Sequence, residues 1–194
     1  MTFPRNAVTV KEWDAYSSDT GGYSPEKGGH GIGDDRAVVN VTWCDVQAYI
    51  KWINAKTNAT YRLPTEAEWE YSHIASEVTR RKVRSKYEPG HSGSISPLKM
   101  GTTKENDNQV TNKWGIFGMQ GLVWEWVHDW HGEYDSGLQI DPKGPSSGVW
   151  RVLRGGGFLD NTTNPRSTGR FFGPPDDRNC SGISLFGFRL LREL

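Results

Sequence analysis

The chain has 194 residues, enough for one domain with a substantial core. Lys plus Arg and Asp plus Glu number 23 each, so no net field draws the chain to nucleic acid or to an anionic membrane. Nine Trp and 23 Gly mark an aromatic-rich, loop-heavy α+β class. There is no continuous apolar span and no charged-then-apolar N-terminus, so neither membrane insertion nor a secretion signal is expected in this sequence. Two cysteines, Cys44 and Cys180, are too few for a disulfide framework and are expected as free thiols, with Cys180 the more readily alkylated.

In chain order, Thr9 to Tyr16 places apolar residues at helical offsets, before a Gly-rich loop from Gly21 to Gly33. Ala37 to Val41 reads as a short strand. Thr42 with Asp45 caps the next helix, whose face is Val46, Tyr49, Ile50 and Ile53 and whose end falls near Asn54. Tyr61 to Pro64 is extended before proline, and Thr65 with Glu68 forms another capping box. Ser76 to Asp107 is polar and broken by Gly and Pro, which predicts a surface excursion. Trp114 to Val127 alternates Gly with large apolar residues, as bent strands and tight turns do, and Trp114, Trp124, Trp126 and Trp150 are expected in the core. Val149 to Arg154 and Phe188 to Leu191 are the last two strands predicted, paired around a long loop.

That loop holds the most informative signal. The 28 residues from Phe158 to Leu185 contain no Lys, Glu, Gln, Trp or Met, although these types make up 37 of the 194 residues and about five would be expected. Every residue type present is reachable from an AAC or AAT asparagine codon by changing adenines alone, and the five missing types are not. An ordinary polar surface loop would keep Lys and Glu. The pattern resembles the variable region of proteins diversified by diversity-generating retroelements. That resemblance implies a ligand-binding protein with no catalytic role and no cofactor, carrying a variable region at about 158–185. The expected contacts are Leu159, Asp160, Thr162, Thr163, Thr168, Gly169, Phe171, Phe172, Gly173, Pro174, Cys180, Ser181, Ile183, Ser184 and Leu185, with Phe171 and Phe172 as anchors. Phe158 and Phe186 are expected as scaffold, as are Arg166, Arg170, Arg178 and Arg189. The expected partner is a protein or cell-surface molecule, with display on a cell or virus surface.

Five ordered blocks carry a second resemblance: Val38 to Trp43, Tyr61 to Tyr71, Trp114 to Trp126, Arg151 to Gly156 and Gly187 to Arg189. They are similar to the formylglycine-generating, sulfatase-modifying family. This implies a single C-type-lectin-like domain over 1–194, with a small twisted antiparallel sheet, two flanking helices and much irregular loop. Enzymes of that family hold copper on a cysteine pair, and alignment on Arg170 and Pro175-Asp176 puts those two positions at Thr162 and Ser167. Neither is a thiol, so the alternative of a formylglycine-generating oxidase lacks its metal ligands.

The remaining constellations are read as structural. His128, Asp129, His131 and Glu133 lack a second cluster and are expected in a polar turn, so no metal is predicted. Gly28 to Gly33 precedes a strand and lacks the P-loop lysine, which makes it a loop. Glu125 has no partner acid or nucleophile motif and is expected to serve as a structural hydrogen-bond acceptor.

Overall fold

A computed structural model describes residues 2–25, 35–74, 112–119, 122–156, 169–177 and 186–194. The expected helix starts are present, each held by reciprocal capping. Helix α1 (Val10–Thr20) begins at Thr9, whose hydroxyl accepts from the Glu12 amide at 3.2 Å while Glu12 accepts from the Thr9 amide at 2.8 Å. Helix α2 (Trp43–Thr57) repeats the device with Thr42 and Asp45. Helix α3 (Glu66–Ile74) repeats it again with Thr65 and Glu68. Helix α2 runs three residues past the expected stop because Asn54 is used sideways: its side-chain amide bonds both backbone groups of Tyr61, and the left-handed turn falls instead at Asn58.

Among the described residues the strands are β1 (Tyr61–Arg62), β2 (Trp124–Trp130), β3 (Arg151–Arg154), β4 (Arg170–Gly173), β5 (Phe186–Phe188) and β6 (Leu191–Arg192). One sheet has the order β4-β3-β2-β5 and the other pairs β1 with β6. The architecture is α+β, with two details corrected. The sheet is mixed, since β5 lies parallel to β2, and three helices rather than two flank it among the described residues. Ala37 to Val41 forms no strand: it crosses the core through an isolated bridge, Thr9 to Ala37, and left-handed Asn40 ends the extended run.

The reading of the biased segment as one long loop between paired strands is corrected twice. Strand β4 lies inside it and pairs antiparallel with β3, Phe171 opposite Leu153 and Phe172 opposite Val152. The bracketing strands β3 and β5 do not pair; they sit on opposite edges of β2. Consecutive aromatics at 171 and 172 favour the extended pairing. His128-Asp129-Trp130 also belongs to β2 rather than to a turn, with an irregularity between Trp126 and Trp130. The 76–107 excursion and the Gly28–Gly33 loop lie outside the described residues.

The main core stacks Trp13 on Tyr49 at 5.3 Å, with Tyr16 and Phe188 edge-on around them. Gly187 passes so close to the Val38 carbonyl that a Cβ there would overlap it. A second core of Trp69, Ile116, Met119, Val127 and Val152 fills the space under α3. Of the four tryptophans expected inside, Trp126 is fully buried and Trp124 half-buried. Trp114 and Trp150 are 46% and 43% exposed, because one rides a left-handed turn at Gly115 and the other sits just before β3. Phe186 is buried, as expected of scaffold.

Glu125 is fully buried between the two cores. It accepts from Trp69 Nε1 on α3 and from Arg189 Nε and Nη2, each at 2.7 Å, and Arg189 Nη2 also reaches the Phe117 carbonyl. The structural role expected of Glu125 is therefore observed.

Chemical denaturation should rank six substitutions. Thr42→Ala and Thr65→Ala lose about 0.5–2 kcal/mol each through their caps. Trp126→Ala loses about 3–5 kcal/mol, and exposed Trp150→Ala clearly less. Arg189→Met strands a buried carboxylate and should cost about 3–5 kcal/mol, whereas Trp69→Phe removes one donor and costs about 1–3 kcal/mol.

Candidate ligand-binding surface

Strand β4 separates inward anchors from outward rings. Arg170 enters the fold, donating from Nε and Nη2 to Glu66 at 2.9 Å and from Nη1 to the Gly132 carbonyl, while its guanidinium lies over the Tyr134 ring at 4.4 Å. Gly169 is held by Arg154, which donates to its carbonyl at 2.8 Å and faces Glu66 and Glu70 with its other nitrogens. Beyond the strand, the Pro175 carbonyl accepts the Cys44 amide at the start of α2.

Phe171 is 38% exposed and packs on Trp124 and Phe186 at 5.4 and 5.9 Å. Phe172, half-buried, stacks on Trp150 at 4.7 Å and meets His131 at 4.2 Å. The result is an aromatic row, Trp124, Phe171, Phe172 and Trp150, across three neighbouring parts of the sheet. Gly169 and Pro174 are half-buried and Gly173 is buried, so Gly173 presents no surface. The other expected contacts, Leu159, Asp160, Thr162, Thr163, Thr168, Cys180, Ser181, Ile183, Ser184 and Leu185, lie outside the described residues, as do Phe158, Arg166, Ser167 and Arg178.

Sequence reasoning missed the acids and rings that serve this surface. Glu66 was hidden inside a capping motif, yet it receives Arg170, Arg154 and the Tyr134 hydroxyl at 2.7 Å. Trp150, expected in the core, instead lies 43% exposed and supports Phe172. The available signal was the acidic spacing Glu66, Glu68, Glu70 at the start of α3, which offers three carboxylates to a chain rich in arginine.

Burial governs the local electrostatics. Asp129 accepts the Glu66 amide at 2.7 Å, but burial and the nearby Glu66 charge push its carboxyl up to about 6. Burial, aided by the hydrogen bond to Glu66, raises the Tyr134 phenol to about 12. The exposed Cys44 thiol is pushed up by partial desolvation and by Asp176, the opposite of an activated thiolate. Among the described residues no three His, Cys, Asp or Glu side chains gather into a metal-binding group.

Asp129 carries a pH prediction. Its folded carboxyl binds protons more tightly than the unfolded one, so the stability it confers is complete below the unfolded value of about 4 and declines as pH rises to about 6. Urea denaturation across that window should show a shallower decline in Asp129→Asn than in the parent.

Comparison with known proteins extends over nearly the whole chain. The family described as the sulfatase-modifying factor enzyme 1-like domain matches residues 4–194. A formylglycine-generating enzyme of Streptomyces coelicolor is 34% identical over 174 residues, covering 80% of this chain and 52% of the relative. The serine/threonine-protein kinase pkn1 of Chlamydia pneumoniae is 32% identical over 163 residues, covering 81% of this chain and 24% of the relative. The chain thus spans about half the length, or less, of these curated relatives. Among solved structures, Treponema denticola variable protein 1 matches with a TM-score of 0.70 at 23% identity, covering 97% of this chain and 82% of its own. PvdO from Pseudomonas aeruginosa matches with a TM-score of 0.67 at 26% identity, covering 97% and 78%. The mixed sheet, its helices and these matches together define one architecture, the C-type-lectin-like fold, and the chain belongs to the sulfatase-modifying factor enzyme 1-like family.

Proposed function

We propose that this chain is the variable protein of a diversity-generating retroelement, a single non-catalytic domain over 1–194 whose surface at about 158–185 binds a protein or cell-surface ligand. The observation that carries this reading is the residue filter from Phe158 to Leu185, which matches adenine-directed change of asparagine codons. The geometry of β4 supports it. Arg170 points into a network of Glu66, Tyr134 and Gly132, while neighbouring Phe171 is open to solvent, so stability and contact are assigned to different side chains. The fold likeness to a protein that is itself named variable is consistent with this use of the scaffold. Nothing in the proposed role requires nucleic acid or a cofactor.

The enzymatic alternative rests on relatives named formylglycine-generating enzymes. Their family chemistry would need two soft thiolates at Thr162 and Ser167, which supply none. The donor set present does not fit copper: Cys44 sits on α2 with a raised pKa, and Cys180 follows Pro175-Asp176 instead of preceding it. Copper titration with turnover of a cysteine-containing peptide would reverse the assignment.

The decisive observation is genomic: a reverse transcriptase and a near-copy of the segment rich in AAC and AAT codons should lie beside the gene, and their absence removes the cause of the filter. A library provides the physical test. Randomising Leu159, Asp160, Thr168, Phe171, Ser181 and Ser184 with codons ending in C or T should leave most clones folded, because the proposed role requires a segment that tolerates exchange at a cost within about 0.5 kcal/mol per change. The same codons at Leu153, Phe186 and Phe188 should yield mostly unfolded protein in a thermal-melt screen, because those side chains are buried.

A further inference from the structure

A cleft of about 420 Å³ opens at the end of β2, beside the point where Arg151 of β3 pairs with Gly173 of β4. Its walls include His128, Trp130 and Arg151 from the sheet and Lys143, Pro145 and Ser146 from the loop that follows β2. We propose that this cleft binds the oxyanion of a phosphate or sulfate monoester, with Arg151 and Lys143 supplying the charge and Ser146 a hydroxyl donor. No wall residue falls within 158–185, so the specificity would be constant among variants and independent of the proposed diversification.

The charge balance points to an anion. Among the described residues neither Arg151 nor Lys143 forms an ion pair. The nearby acids are already committed: Asp129 is buried and accepts the Glu66 amide, and Glu68 is gripped by both terminal nitrogens of Arg62. Arg151 is only 9% exposed, and burial disfavours its charged form even with the Asp129 carboxylate nearby, since no acid among the described residues pairs with it directly. An oxyanion in the cleft compensates that cost.

The cation is also held ready. Its guanidinium carbon sits 3.8 Å from the Trp43 ring and 3.5 Å from the Trp130 ring, so both faces are covered and the remaining donors lie in the guanidinium plane. Nη1 donates to the His128 carbonyl, and Nε has no partner. A fork fixed in this way loses little entropy on meeting an anion. Burial, with Arg151, Arg62 and Lys143 nearby, holds His128 below the usual imidazole value, so the ring enters the cleft neutral at pH 7. Trp130 and Pro145 give an apolar wall for the organic part of a monoester, and the volume lies in the range of small-ligand sites. Donors from both the sheet and the loop suit a tetrahedral group better than a planar carboxylate.

The test is a set of NMR titrations of the whole chain with inorganic phosphate, inorganic sulfate, glucose 6-phosphate and glucose 6-sulfate, following the Trp43 and Trp130 indole N–H and the His128 ring. Potassium chloride and acetate at matched ionic strength are the controls. The expected result is saturable shifts with the phosphate or sulfate compounds, and the tighter of the two sugar esters identifies the anion's source. Exposed Lys143→Gln should weaken binding about tenfold without moving the melting temperature, the loss of one charge-assisted hydrogen bond. Arg151→Lys, which keeps charge but loses the fork, should weaken it similarly in protein shown to be folded by its spectrum. Shifts that chloride or acetate reproduce, or an affinity unchanged in both variants, would overturn the proposal and leave the diversification reading untouched.

Discussion

The buried contact between Glu125 and Arg189 is the constraint on which the rest of the molecule depends. Both groups are fully removed from water, and each ion carries a desolvation cost of several kcal/mol that only complete pairing offsets. Pairing requires β2 to supply Glu125, the turn after β5 to supply Arg189, α3 to supply the Trp69 indole, and the 112–119 segment to supply the Phe117 carbonyl. No one of these elements satisfies the site alone. The pair therefore links the two apolar cores and fixes β5, the strand that immediately follows the biased segment, alongside β2.

A second set of buried charges performs the same task in the middle of that segment. Glu66 gathers Arg170, Arg154 and Tyr134 at the start of α3, and Arg154 also holds the Gly169 carbonyl. Four arginines on or beside one sheet thus have distinct tasks: Arg189 closes the core, Arg170 and Arg154 tether β4, and Arg151 is stacked between two indoles. A guanidinium suits each case because its planar fork bonds carboxylate and carbonyl while its faces accept aromatic rings. The tethering leaves the Phe171 side chain outside the network, partly exposed and packed on Trp124 and Phe186.

Family membership fixes the fold of this chain without by itself fixing its chemistry. The blocks whose motifs resemble that family, including Tyr61 to Tyr71, Arg151 to Gly156 and Gly187 to Arg189, hold Glu66, Trp69, Arg154 and Arg189 of the buried network. One fold can host unrelated functions when the scaffold residues and the reacting residues are different.

Local structure and the compositional signal were both legible along the chain alone. Thr9, Thr42 and Thr65, each followed three residues later by an acid, specified three helix starts, because a capping box is complete within four residues. The filter at 158–185 needed no coordinates at all. Pairing and burial were not legible in the same way. Nothing within Arg170 to Gly173 identifies β3 as its partner, nothing in Phe186 to Phe188 signals a parallel contact with β2, and Ala37 to Val41 has strand composition without a strand. Trp126 and Trp150 are the same residue type in similar surroundings, yet one is sealed and the other is 43% exposed. Long-range packing settles these cases, because burial and strand pairing depend on which distant segments cover a residue, whereas caps and composition are properties of neighbours in the chain.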